Sequence, residues 1–562
     1  MTKQSFIKGA MILLLAGMIN RILGFIPRIT LPRIIGAEGV GIYQLSYPFL
    51  IVLLTFITGG IPLAIAKWIA EAESVGDTAR VKRIFRTAMV LSVSIALALT
   101  SLMLFFAPLI IKYIIPEPRV YQSFLVMSPL LVIIGISAVY RGYFQGKQNM
   151  IPSALSQTIE TIIRIIFSLA LSYVLLPYGL HWGAAGAMLG VVLGEVAALV
   201  TMLLYYHRER KKRNSSLSLE QQKAAEPELS DSANMNNSSS NESMSDYNST
   251  ALDTNKHKSK KKWFSNNKED SILGKLLTLS IPVTGSRLVG SISYLLESIF
   301  TARSLAAAGI VTSIATAQYG ALQGMILPLI LLPTALTYSL AVSLVPSLSE
   351  AAAQKQNHLI HKRLHQSMRI SLVAGAPFTI IMFLFAEPIC ELLYAHGEYA
   401  PMLQLIAPIG IFIYLQAPLQ ATLQALEKPG VALGNTFIGA VVKISLIIVL
   451  ASNPALGIKG ALIAIAVNTV LVTVLHAISV KRFVGFHMNI LDFVKVGAAI
   501  IIAGAFAHYV KSLLTAQPEW LSLLAACITT MILYIYFMFL MRIIDRDDLT
   551  RIPYIGKWFV QH

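Results

Sequence analysis

Two arginines, Arg21 and Arg28, lie inside an apolar run that covers residues 7–31. A guanidinium gives planar, charge-assisted hydrogen bonds, often two at once, and so suits a phosphate or a carboxylate. A charge near the bilayer centre costs on the order of 3 kcal/mol or more, so an arginine kept there reads as functional. Seven residues separate the two. At about 100° per residue they return to one helix face, which Gly17 and Gly24 share. One side of this helix is therefore cationic and free of bulk, and the other is apolar. The chemistry this points to is acceptance of an anion in a water-filled cavity, with Asn20 beside Arg21 in the same candidate set. The plainer alternative is an arginine snorkelling to the interface. It fits Arg28 or Arg33, nearer the end of the run, better than Arg21.

Other apolar runs hold further candidates. Ser280, Thr284, Arg287, Ser291, Tyr294 and Ser298 form a polar stripe at helical spacing. Arg287 on it would set a second cation opposite Arg21; the bland alternative is a hydrogen-bonded seam between helices. Glu297 lies off the stripe and is expected to pair with Arg287 or Arg303, or to carry a coupling proton. Glu160 and Arg164 are spaced i, i+4, as in an ion pair within one helix. Lys443 has Gly439 where such a partner would stand, so its charge is expected to be uncompensated locally, making it a better anion contact than Arg164. Glu195 is either a buried pair member or a protonatable site. His358, His361 and His365 could face one side of a helix, but neighbouring Lys362 and Arg363 favour a solvated amphipathic surface over a metal site. Gly36, Gly39 and Gly41 follow no strand, and no glycine-rich phosphate loop occurs, so no nucleotide cofactor is expected.

The elements that must position these residues are membrane spans. The chain has 562 residues, 55% of them hydrophobic and 13% charged, with a mean hydropathy of +0.67. Apolar runs long enough to cross roughly 30 Å of hydrocarbon recur about fourteen times. The expected fold is all-α and integral to the membrane. The net charge of +17 falls mostly in short loops beside apolar runs, which marks orientation and not a nucleic-acid surface. Arg80, Lys82, Arg83, Arg86, Lys147, Lys355, Lys362, Arg363, Lys481 and Arg482 all fall on even-numbered connections. That predicts a multi-pass protein of the cell membrane with both termini in the cytoplasm. Cys390 and Cys527 lie in or beside apolar runs, so no disulfide framework is indicated.

Residues 207–270 differ. They are rich in Ser and Asn and flanked by the clusters Arg208, Arg210–Arg213 and Lys256–Lys262, and they read as a disordered cytoplasmic linker. The basic flanks anchor topology and could hold anionic lipid. The sequons at Asn237 and Asn248 are discounted, since the linker should be cytoplasmic. Around the linker the halves echo each other. Glu71 and Glu350, Gly41 and Gly320, Gln44 and Gln323, and Arg164 and Lys443 share an offset of 279 residues. The expected division is an N-lobe of six spans (1–206), the linker (207–270), a C-lobe of six spans (271–482), and two further spans with a tail (483–562). A parallel repeat of this kind sets its substrate site between the lobes.

The blocks Arg21–Phe25, Ile35–Gln44, Gly60–Lys67 and Arg141–Met150 resemble lipid-linked oligosaccharide flippases, most of all the stage V sporulation protein B group. That group lies in the multidrug/oligosaccharidyl-lipid/polysaccharide exporter superfamily, and the similarity covers nearly all of the chain except the linker. The resemblance implies two six-helix lobes around a central cavity lined by spans one, two, seven and eight. It implies alternating access and export of an undecaprenyl-diphosphate-linked peptidoglycan or polysaccharide precursor, for the sporulation group a precursor of spore cortex. Where related lipid II flippases carry an arginine near the start of span eight, this chain has Ala321, Leu322 and Gln323. The implied partners are that lipid-linked oligosaccharide, membrane lipids and cell-wall synthesis proteins, with no nucleic acid. A cation-coupled drug exporter of the same fold is the rival, but it needs acidic cavity residues. An enzyme is not expected: the ninth connection, with Glu387, Glu391, His396 and Glu398, is too short to hold a glycan chain. A scaffold role would rest on the linker alone.

Overall fold

The computed structural model describes residues 16–234 and 272–543, and every regular element among them is helical. Thirteen helical stretches are long and apolar enough to cross a membrane. The first of these, Ala16–Ser74, is two spans in one. At about 1.5 Å per residue it would overshoot the hydrocarbon more than twofold. It turns back at Gly36, whose φ of +66° and ψ of 176° lie where a side chain would be strained. The count is then thirteen plus one, the fourteen that the apolar runs predict.

In chain order the helices are α1 (16–23), α2 (Phe25–Thr58, bent at Gly36), α3 (Ile61–Ser74), α4 (Thr78–Tyr113), α5 (Tyr121–Gly146), α6 (Ile151–Leu175) and α7 (Leu180–Asn234). After the linker come α8 (Ile272–Ala307), α9 (Thr312–Leu331), α10 (Thr334–Ala353), α11 (Asn357–Leu384), α12 (Ala386–Tyr394), α13 (Gly397–Ala425), α14 (Pro429–Ala451), α15 (Ile458–Val484), α16 (Ile490–Leu513) and α17 (Glu519–Leu540). Span eight is broken between α9 and α10 at Pro333, which has no amide hydrogen to continue the helical ladder. α7 runs on through Asn234, where the linker composition predicts disorder. The run Glu220–Glu226, rich in Glu, Gln, Lys and Ala, favours helix propagation from the span before it. Residues 235–270, with both sequons and the second basic cluster, lie outside the described residues.

Glycine sets the closest helix contacts. Gly186, Gly190 and Gly194 recur every four residues along α7, and a Cβ on Gly190 would fall 2.2 Å from the Ser168 amide nitrogen of α6. Ser168 then donates to the Ala187 carbonyl at 2.9 Å. Small residues at this spacing let helices meet where lipid supplies no hydrophobic drive. The second half repeats the device. Gly186 abuts the carbonyl of Leu171, and Gly460 on α15 abuts that of Leu450 on α14, which stands 279 residues after Leu171. α16 and α17 pack on each other and on α11, and the Tyr534 hydroxyl donates to the Val373 carbonyl at 3.0 Å.

Each half has its own apolar cores, and residues of both halves meet in others. Ala302 and Tyr319 from the second half are buried with Ile42, Leu45 and Phe124 from the first. Ala37, just past the Gly36 turn, is buried among Leu322, Met325 and Tyr394 of the second half.

Candidate functional site

The lobes meet along α2, α8 and α9. At one end they are closed. Gly41 on α2 and Gly320 on α9 face each other so tightly that a Cβ on Gly41 would lie 2.0 Å from the Thr316 carbonyl oxygen, and one on Gly320 2.4 Å from the Gly41 amide nitrogen. These two glycines, paired by the repeat offset, meet at the interface itself.

Polar groups reinforce that closure. Arg119, in the turn between α4 and α5, reaches Glu38 at 2.7 Å and Glu117 at 2.7 Å. The Glu117 carboxylate, only 2% exposed, also accepts from the Thr316 hydroxyl at 2.9 Å. Burial works to raise the Glu117 pKa, but hydrogen bonds from Arg119 and Thr316 and the Arg119 charge hold it below the ordinary 4.5. Beside this, Arg33 donates from Nε to the Leu393 carbonyl at 2.8 Å and from its terminal nitrogen to the Leu392 carbonyl. Those carbonyls end α12, where the helix dipole favours a cation. Arg33 is thereby tied to the second lobe and not free to snorkel.

Away from that end three cations, on α1, α2 and α8, are left exposed. Arg21, Arg28 and Arg287 are all exposed, and none makes an ion pair among the described residues. The Arg21 guanidinium lies 4.6 Å from the centre of the Tyr338 ring on α10, so it reaches across to the second lobe. Asn20 beside it has a buried Oδ1 without a hydrogen-bond partner among the described residues. Arg28 lies within electrostatic reach of the Tyr43, Tyr294 and Tyr394 hydroxyls. The polar stripe on α8 divides. Thr55 and Ser291 share a hydrogen bond of 2.6 Å, and Gly59 and Gly60 abut Thr284 and Ser280, so these residues form an interlobe seam. Arg287 remains exposed.

The expectation for Lys443 is corrected. Its ammonium lies 2.5 Å from Glu297 Oε2, and Gln323 donates to the other oxygen at 3.2 Å. Glu297 therefore pairs with neither Arg287 nor Arg303; Arg303 instead donates to the Tyr113 carbonyl. The partner of Lys443 comes from another helix, 146 residues away. A neutralised lysine is a poor anion contact, so Lys443 does not join the exposed set.

Glu160 and Arg164 do pair, at 3.0 Å. Arg141 joins them, 3.6 Å from Glu160 and 3.4 Å from Glu195, so Glu195 is a buried pair member. Arg164 is within electrostatic reach of Tyr43, which Arg28 also influences. Sequence reasoning missed Tyr338, Arg141 and the Glu38–Arg119–Glu117 group. Of these, Arg141 carries a signal that a search for charges at membrane depth would find, since it stands at the end of an apolar run.

The likeness to known proteins extends over the whole chain. The family described as Polysaccharide biosynthesis protein matches residues 6–238, and the family MatE matches residues 288–449. Stage V sporulation protein B of Bacillus subtilis (strain 168) is 36% identical over 100% of both chains. Lipid II flippase MurJ of the same organism is 23% identical, over 87% of this chain and 85% of its own. Among solved structures, lipid II flippase MurJ in an inward closed conformation superposes with a TM-score of 0.63 at 17% identity, over 94% of this chain and 98% of that one. The last likeness speaks for the fold.

Proposed function

Since this chain belongs to the stage V sporulation protein B family, we propose that it is a flippase. It moves an undecaprenyl-diphosphate-linked peptidoglycan or polysaccharide precursor across the cell membrane by alternating access, in the sporulation branch for spore cortex. The observation that carries it is the set Arg21, Arg28 and Arg287, all exposed and in no ion pair among the described residues, while Arg141, Arg164 and Lys443 are paired with carboxylates. A diphosphate brings about two negative charges, and moving them bare through hydrocarbon is prohibitive. Guanidinium groups replace the lost water with charge-assisted, sometimes bidentate bonds. Asn20 adds a hydrogen-bonding amide beside Arg21. The prenyl tail stays in the bilayer while the head group crosses.

The lobes rock about their interface to expose the head group on the far side. The charge imbalance left by three free arginines couples the step to membrane potential, worth about 2.3 kcal/mol per charge per 100 mV. Both termini are assigned to the cytoplasm, so the closed end with Gly41 and Gly320 faces outward. A cation exporter would need a free carboxylate in the cleft. Glu297 lies within reach of Tyr294 on the same helix, and Lys443 already neutralises it.

The test is flipping of defined undecaprenyl-diphosphate sugars by the full chain in proteoliposomes. Arg21→Ala is expected to cut the rate at least about tenfold, the worth of one charge-assisted contact. Circular dichroism and gel filtration should stay those of the parent. Full activity in that variant overturns the assignment, as does transport of a cationic dye in place of the lipid.

A further inference from the structure

At the end opposite the closed one, α11 and the turn after α15 form an open pocket of about 410 Å³ lined by His358, His361, Lys362, His365, Phe486 and His487. The four basic groups of α11 fall at i, i+3, i+4 and i+7, one helical face. Two of the rings are held in place. His361 Nε2 lies 2.6 Å from the Val484 carbonyl, and its ring stands edge-on to Phe486 at 6.1 Å. His365 Nε2 lies 3.4 Å from Asp492 Oδ2. The nearby carboxylate is thus taken up. His358, Lys362 and His487 are exposed and make no ion pair among the described residues.

The depth of the pocket says what covers it. Beyond Arg369, α11 carries no charged residue up to Leu384. Just past His487, at the start of α16, Ile490, Leu491 and Val494 are 76%, 62% and 61% exposed, a surface that belongs in acyl chains. Hydrocarbon therefore begins within about two turns of the basic groups, at the depth of phospholipid phosphates. We infer that this pocket binds the phosphate head group of an anionic membrane phospholipid. Lys362, His358 and His487 supply donors to the phosphate oxygens, and the acyl chains run along the exposed face of α16. A free phosphate would use the donors and leave that neighbouring apolar face of α16 uncovered. The site is apart from the interlobe cleft and does not depend on what the cleft carries.

Native mass spectrometry of the full chain in detergent tests this, with phosphatidylglycerol, phosphatidylcholine and inorganic phosphate as probes. Phosphatidylglycerol should be retained over phosphatidylcholine, and inorganic phosphate should compete weakly. Lys362→Gln should weaken phosphatidylglycerol about fivefold, the worth of one cation at a lipid surface, while Lys362→Arg keeps it. Combined His358→Ala, Lys362→Gln and His487→Ala should abolish the preference. Equal retention of both lipids, binding of phosphate without lipid preference, or an undiminished preference in the triple variant overturns the site. If the triple variant does not fold, the Gln and Arg variants at Lys362 decide, and equal affinity in the two overturns it.

Discussion

Among the intramembrane charges, position along the helix says less than partnership. Arg164, Arg141 and Lys443 are satisfied by carboxylates, and Arg303 and Arg33 by backbone carbonyls. Arg21, Arg28 and Arg287 make no such pair among the described residues, which is the ground on which the proposed function gives them to a passenger. The Glu297–Lys443 pair gives a test at this scale. Both side chains are largely buried, 9% and 13% exposed, so removing one partner strands a charge in low dielectric. Breaking a buried pair costs roughly 3–5 kcal/mol, whereas replacing both partners with neutral groups of similar volume is often near neutral. Lys443→Met alone should lower the melting temperature clearly, and Glu297→Gln with Lys443→Met should restore most of it. A Lys443→Met chain as stable as its parent would mean that the pair is not formed.

At the scale of helices, the contact of Gly41 with Gly320 should tolerate no side chain. Gly41→Val places a Cβ against the Thr316 carbonyl oxygen, a backbone atom that cannot turn aside. Overpacking of this kind costs roughly 1–3 kcal/mol, and the cheapest relief is for the lobes to part at that end. In a background of Cys390→Ser and Cys527→Ser, Ala315→Cys places a thiol at a buried position beside this contact. That thiol should be protected from maleimide while Gly41 is kept, and labelled once Gly41→Val is added. Continued protection would show that the glycines do not set the closure. The same helices show how far sequence reaches. Apolar length gave every span, and the bend at Gly36 is what divides the first helical stretch into spans one and two. The Glu160–Arg164 pair was legible because both partners share a helix. The partner of Lys443 was not, because it lies on α8 and no spacing rule reaches across a fold. The offset of 279 residues linked Gly41 to Gly320 as repeat mates, but not as neighbours: their meeting depends on how the lobes pack.

For the molecule as a whole, the proposed alternating access requires that the closed end open, and the Glu38–Arg119–Glu117–Thr316 group is what must then break. It joins the first lobe to Thr316 of the second. Glu117 makes it sensitive to acid. Its folded-state pKa is held below 4.5, so its contribution is complete above that value and is lost as pH falls through the lower, folded one. Protonation removes the charge that Arg119 pairs with, and the closed arrangement loses ground to the open one. Spin labels at the exposed positions Tyr178 and Asn453, one on each lobe at this end, would report the separation by pulsed electron resonance in proteoliposomes. One short distance is expected at neutral pH, with a longer population growing only below 4.5. Glu117→Gln should show the longer population already at neutral pH and respond little to acid. Arg119→Gln should do the same while leaving Arg21 and the cleft chemistry untouched. If Glu117→Gln keeps the short distance and the acid response of its parent, this group does not hold the lobes together, and the tight crossing of Gly41 over Gly320 must do so alone.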